Sequence, residues 1–169
     1  NYLAAYAWAA KEYGGDAIKT QDYLARLFRN VPVLDTGARG STTTFVNRGI
    51  GDVLVAWENE AFLALDEPQG KGLQIVVPSL SIKAEPPVAI VDKVVDRHGT
   101  RQVAEAYLAF LYSTRGQQLA AKHHYRPSKP ELVSPEVMKA FPAIPQVTID
   151  TAFGGWKKAQ ATHFADGGS

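Results

Sequence analysis

The stretch Val31-Pro32-Val33-Leu34-Asp35-Thr36-Gly37-Ala38-Arg39-Gly40-Ser41-Thr42-Thr43-Thr44-Phe45-Val46 reads as a short apolar strand, a glycine-bearing turn and a helix that opens on small hydroxyl residues. That succession is a βα unit. Gly49 and Gly51 close the helix, and Asp52-Val53-Leu54-Val55-Ala56-Trp57 reads as the next buried strand. On the N-terminal side, Tyr2 to Tyr13 places Leu3, Tyr6, Ala7 and Ala10 at helical spacing and stops at Gly14-Gly15, since glycine accepts the left-handed helix end. A second helix is predicted from Ile18 to Arg29, with Leu24, Leu27 and Phe28 as its buried stripe. On the C-terminal side come a short helix over Glu58 to Leu65 and strands over Gly72 to Pro78 and Pro87 to Val91, the latter after the stiff Glu85-Pro86-Pro87 corner. A helix from Thr100 carries Val103, Ala106, Tyr107, Phe110 and Leu111 on one face, and Ser113 caps another that runs to about His124. Pro127 to Pro145 reads as a surface connection around one short helix, Gln146 to Ile149 as extended, and Asp150 to about Phe164 as helical. Alternating strands and helices predict an α/β fold with a mainly parallel sheet.

Composition narrows the classes. The 169 residues are 46% hydrophobic and 21% charged, enough apolar material for a real core in one domain or parts of two. Lys plus Arg number 18 against 17 for Asp plus Glu, and the net charge of +1 argues against nucleic acid or an anionic membrane held by bulk charge. Apolar runs such as Ala106 to Tyr112 fall far short of the roughly 20 residues a membrane helix needs. The absence of cysteine removes disulfides, thiol nucleophiles and thiolate metal sites without fixing the compartment. No signal-peptide pattern occurs in these residues, which suits a cytoplasmic chain and a processed exported one alike.

Few residues offer chemistry. His123 and His124 are adjacent and diverge by roughly 100° on a helix, while His98 and His163 stand apart, so no metal-ligand spacing exists and all four read as ordinary surface histidines. Glu58 and Glu60 are two apart and do not share a helix face. No nucleophile elbow, P-loop lysine or dinucleotide fingerprint is present. The Gly37-Ala38-Arg39-Gly40 turn does present successive backbone N–H groups at the positive end of a helix, a place where neutral donors near Ala38 hold an anion. The same pattern also describes a plain tight turn with a capped helix. Arg39 has two readings: a direct reach to an anion, or a brace of the loop through carbonyls or a carboxylate. Trp57, at the carboxyl end of its strand, is either a core residue or a donor-only indole facing a ligand.

A resemblance decides between these alternatives. The run Val33 to Val46, the run Arg48-Gly49-Ile50-Gly51-Asp52-Val53-Leu54-Val55-Ala56-Trp57-Glu58-Asn59-Glu60-Ala61, and the segments Ala84-Glu85-Pro86, Tyr125-Arg126-Pro127, Phe153-Gly154-Gly155-Trp156 and His163-Phe164-Ala165-Asp166-Gly167-Gly168 strongly resemble the periplasmic sulfate-binding proteins of bacterial ABC uptake systems. The likeness runs in order along essentially the whole chain. It implies the type II periplasmic-binding-protein fold, a two-lobed α/β clamp with sulfate dehydrated in the cleft and held by uncharged donors. Carried over to this sequence, the Ala38 amide and the Trp57 indole are sulfate donors, and Gly37, Arg39, Gly40 and Ser41 shape the supporting turn. A family lobe that supplies a serine hydroxyl and a Ser-Gly-Gly segment with further amides have no counterpart here. The resemblance therefore implies the C-terminal part of such a protein, one that binds sulfate very weakly by itself. It implies residues 1–84 as most of the second lobe, 85–126 as a return to the first, and 127–169 as a tail of unassigned lobe. It further implies a periplasmic monomer when intact, delivering sulfate to the membrane components of an ABC importer, with no catalysis, cofactor, metal or nucleic acid. Donor-only recognition suits a fully ionised dianion, because protonated phosphate would leave its O–H unpaired. The alternatives are thiosulfate or another tetrahedral oxyanion, a phosphoryl-handling transferase using the Gly37–Gly40 turn, and an interaction module with a large exposed apolar patch.

Overall fold

The computed structural model describes residues 1–165. The expected motif over Asp166-Gly167-Gly168 lies outside them. Among the described residues ten α-helices and two short strands follow one another: α1 (Tyr2–Glu12), α2 (Ala17–Arg29), α3 (Ala38–Arg48), α4 (Glu58–Asp66), β1 (Ser81–Ile82), α5 (Asp92–His98), α6 (Arg101–Leu111), α7 (Thr114–Lys122), α8 (Pro135–Met138), β2 (Gln146–Val147), α9 (Ile149–Phe153) and α10 (Trp156–His163). The chain forms two compact units, one of Asn1–Ala84 with Ala143 onward, the other of Glu85–Pro142.

In the first unit, the periodicity of α1 puts Leu3 and Ala7 on one face, where they join Leu80, Phe153 and Ala159 in the core. Past its end, Gly15 N–H reaches back to the Ala10 carbonyl at 2.7 Å, with Gly14 and Gly15 both at positive φ. Asp16 caps α2 by accepting the Lys19 N–H at 3.1 Å, a bond that holds its carboxyl below the usual range. Of the stripe expected on α2, Leu24 is buried while Phe28 stays partly exposed. The strands β1 and β2 pair in parallel, Ser81 with Gln146 and Ile82 with Val147.

That ladder is the whole sheet among the described residues. The segments 31–34, 52–57, 72–78 and 87–91, predicted as strands, lie outside it and join no ladder. A parallel strand takes its hydrogen bonds from neighbours, so apolar, β-branched residues select an extended backbone without by themselves creating a ladder. Val53, read from sequence as buried, is 80% exposed, and Leu34 and Val55 are also exposed.

Thr148 opens α9 through a capping box: its hydroxyl accepts the Thr151 N–H at 3.1 Å and the Thr151 hydroxyl accepts the Thr148 N–H at 3.0 Å. Gly154 and Gly155, at φ 69° and 92°, then break the single helix expected over 150–164 into α9 and α10. His163 is no surface histidine. It is half-buried, edge-on to Tyr6 and Phe153, with its Nδ1 3.3 Å from the Tyr2 hydroxyl. Replacing Thr148 by alanine is expected to cost about 1 kcal/mol of stability, read from urea denaturation, because a lost cap leaves helix-end amides unsatisfied.

In the second unit Gln117 is the buried polar centre. Its amide donates to the Leu111 carbonyl at 2.7 Å, and its oxygen accepts from Ser128 Oγ at 3.2 Å and Lys129 N–H at 2.9 Å. Arg101 forks onto Asp96 at 2.7 and 2.9 Å and reaches Asp92 at 2.8 Å, tying α6 to α5; the same contact holds the Asp96 carboxyl below its ordinary range. No residue of α6 is buried; of its expected apolar face, Val103, Ala106, Tyr107 and Phe110 are exposed and Leu111 is half-buried. Ser113 caps α7 as the sequence indicates, accepting the Gly116 N–H at 3.1 Å.

Candidate functional site

The segment after Asp35 turns directly into a helix. Gly37 is the N-cap, fully extended at φ −162° and ψ 159°, and α3 begins at Ala38, inside the turn rather than at the hydroxyl run. The amides of Ala38, Arg39 and Gly40 therefore have no carbonyl four residues back within the helix, and Ser41 is the first to close a bond, to the Gly37 carbonyl at 3.0 Å. The Gly37 cap has no side chain to occupy these donors. Three successive N–H groups at the positive end of an 11-residue helix make a neutral anion-holding surface.

The hydroxyls that follow face inward along the helix. Ser41, Thr42 and Thr43 lie within 3.3, 3.2 and 3.0 Å of the carbonyls of Gly37, Ala38 and Arg39, and Thr42 is 2% exposed. Back-bonded in this way, the three hydroxyls are engaged by the backbone of α3 and are not free donors to the cleft.

Trp57 is the N-cap of α4, still extended at ψ 150°, and is 48% exposed, so the core reading fails for it. Its indole N–H has no acceptor among the described residues. A cleft of about 180 Å³ is lined by Asn1, Asp35, Thr36, Gly37, Ala38, Ser41, Val55, Ala56 and Trp57. At about 30 Å³ per water it takes a few solvent molecules or one small polyatomic ion. Of the residues singled out from sequence, Ala38, Trp57, Gly37 and Ser41 share this wall, while Arg39 and Gly40 do not line it.

Arg39 takes its bracing role. Its guanidinium lies 3.4 Å from Glu60 and 4.0 Å from Glu67, and Glu60 in turn accepts from the Thr42 hydroxyl at 3.1 Å. The Arg39 guanidinium is thus committed to carboxylates, and the charged side chain on the cleft wall is Asp35. Its Oδ1 accepts from Thr44 at 3.3 Å. Sequence reasoning missed both Asp35 and Glu60. Asp35 lies between Leu34 and Thr36 without a spacing signal, and Glu60 reads from sequence only as the neighbour of Glu58 that shares no helix face with it. Its true partners are on α3.

Comparison with known proteins gives this geometry its class. The pattern of the family described as bacterial extracellular solute-binding protein matches residues 3–126. The chain is 56% identical over its whole length to the sulfate-binding protein of Escherichia coli K12, covering 51% of that relative. It is 47% identical over 99% of its length to the thiosulfate-binding protein of Pseudomonas aeruginosa, covering 50% of it, and 41% identical to the thiosulfate-binding protein of Escherichia coli K12, covering 49%. The chain belongs to the bacterial extracellular solute-binding protein family, and its helix-rich α/β architecture is of that class. It spans about half the length of the curated relatives it matches. Among the described residues no helix is long and apolar enough to cross a membrane.

Proposed function

We propose that this chain carries part of a sulfate-binding cleft of a periplasmic receptor that delivers the anion to the membrane components of an ABC importer. One observation carries the reading: Ala38, whose amide opens α3, and Trp57, whose indole has no acceptor among the described residues, line the same cleft, with no lysine, arginine or histidine side chain on its wall. Hydrogen bonds to a charged partner are worth about 1.5–3 kcal/mol each, so donors alone can hold a dianion without a counter-ion. The resemblance of the two long runs around Ala38 and Trp57 supports the same donors. Gly37 and Ser41 shape the turn, and Arg39 and Gly40 support it from behind.

The lobe assignment is part of this proposal: residues 1–84 furnish most of one lobe and residues 85–126 return to the other. The proposal also takes the receptor as a monomer that binds without catalysis, a reading supported by its membership of a solute-binding protein family. Thiosulfate is the second ligand to consider, because relatives at 47% and 41% identity are thiosulfate-binding proteins and the site reads tetrahedral oxygens rather than a unique group.

Competition calorimetry on the natural full-length protein tests the reading. Sulfate is expected to bind, thiosulfate to displace it, and phosphate at neutral pH to bind at least about tenfold more weakly, the cost of one unpaired buried O–H. Equal affinity for phosphate and sulfate would show that a wall carboxylate such as Asp35 accepts the phosphate proton, and the donor-only account would fail.

A further inference from the structure

We infer that Glu60 is a positioning residue that sets the spacing between the two donor groups of the cleft; the inference rests on the sulfate reading. The donors come from different helices. Ala38 is the first residue of α3 and Trp57 is the N-cap of α4, so nothing in local chain geometry fixes the Ala38 amide relative to the Trp57 indole. Glu60, three residues after Trp57, is 8% exposed, and Thr42, four residues after Ala38, is 2% exposed. Their side chains meet at 3.1 Å, Thr42 Oγ1 donating to Glu60 Oε2. The other carboxylate oxygen, Oε1, lies 3.4 Å from the Arg39 guanidinium, which is again on α3. A single carboxylate on the first turn of α4 thus holds two side chains from the first two turns of α3.

The chemistry makes this a clamp. A buried carboxylate is tolerated only when its oxygens are engaged, so any drift of α4 from α3 exposes an unsatisfied charge. The Thr42 hydroxyl has one proton and two acceptors within reach, the Ala38 carbonyl at 3.2 Å and Glu60. The ionised carboxylate is the stronger acceptor and draws the proton across the interface between the helices. The pair therefore acts between helices rather than only within α3. Because affinity from two donors requires both to be in register with one tetrahedral ion, loosening the clamp weakens binding without removing a ligand contact.

Sulfate titration of the natural full-length protein and of Glu60→Ala, Thr42→Val and the double variant tests this. Each single change is expected to weaken sulfate binding about tenfold. The double variant should be no weaker than the singles, because both remove one coupling. Glu60→Gln, which keeps an acceptor for Thr42, is expected to recover most of the loss. In ligand-free protein, the Ala38 amide and Trp57 indole resonances should shift in Glu60→Ala and return in Glu60→Gln. Additive losses, unchanged affinity in a folded Glu60→Ala protein, or resonances that do not move would overturn the inference. If Glu60→Ala does not fold, Thr42→Val against Thr42→Ser decides it: the clamp requires loss with valine and recovery with serine. If the parent protein binds no sulfate, the proposed function fails, while the resonance comparison still decides whether Glu60 sets the geometry.

Discussion

Ala38→Pro is expected to lower sulfate affinity about a hundredfold while leaving the fold intact. Ala38 is the first residue of α3, where proline is favoured because the N–H it lacks has no helical acceptor and its fixed φ suits the first turn. A proline also requires extended backbone in the residue before it, and Gly37 already stands at φ −162° and ψ 159°. The substitution thus deletes one donor with little strain elsewhere. Losing a hydrogen bond to a charged partner costs about 1.5–3 kcal/mol, roughly ten- to a hundredfold in affinity, and the ring methylene placed where the hydrogen was adds to the loss. Calorimetry reads the affinity and urea denaturation the stability. A folded Ala38→Pro protein with parental affinity would remove the amide from the site.

Trp57→Phe is the complementary experiment, deleting a side-chain donor and keeping most of an aromatic body. With about half its surface exposed, the indole contributes little to the core, so stability should stay within about 0.5 kcal/mol of the parent. Its place at the head of α4 depends on backbone conformation, which phenylalanine shares. The loss of a donor to a charged ligand is expected to weaken sulfate binding by at least about tenfold, mostly through faster release. Unchanged affinity would mean that the ion lies elsewhere in the cleft.

Helices proved far more legible in the sequence than strands, and the reason is physical. The boundaries of α1, α2, α4 and α7 follow from periodicity, caps and glycine stops that lie within the segments themselves. Two helical details were missed. The helix α5 begins at Asp92, directly after the segment 87–91 that reads as strand, and Gly154-Gly155 splits what periodicity alone would join. The segments 31–34 and 52–57 have strand composition but an edge only a neighbouring strand can use, so their ladder is not encoded in their own residues.

The site divides along the same line. Ala38 and Trp57 could be singled out because a turn opening a helix and a tryptophan ending an extended run are local features, although choosing their functional reading took the longer resemblance. Asp35 on the wall and Glu60 behind it depend on packing between α3 and α4, which no spacing within one segment reveals. Arg39 shows the limit most clearly. Its charge invites a contact with an anion, yet Glu60 and Glu67 hold it away from the cleft wall.

The central claim is that pointed dipoles, without a counter-charge, hold the oxyanion at the head of α3. A crystal structure of the natural full-length protein with sulfate tests it most directly. Sulfate oxygens are expected about 2.7–3.2 Å from the Ala38 amide nitrogen and the Trp57 indole nitrogen, with the Arg39 guanidinium still on Glu60. Sulfate seated on a lysine or arginine side chain, away from both residues, would contradict it.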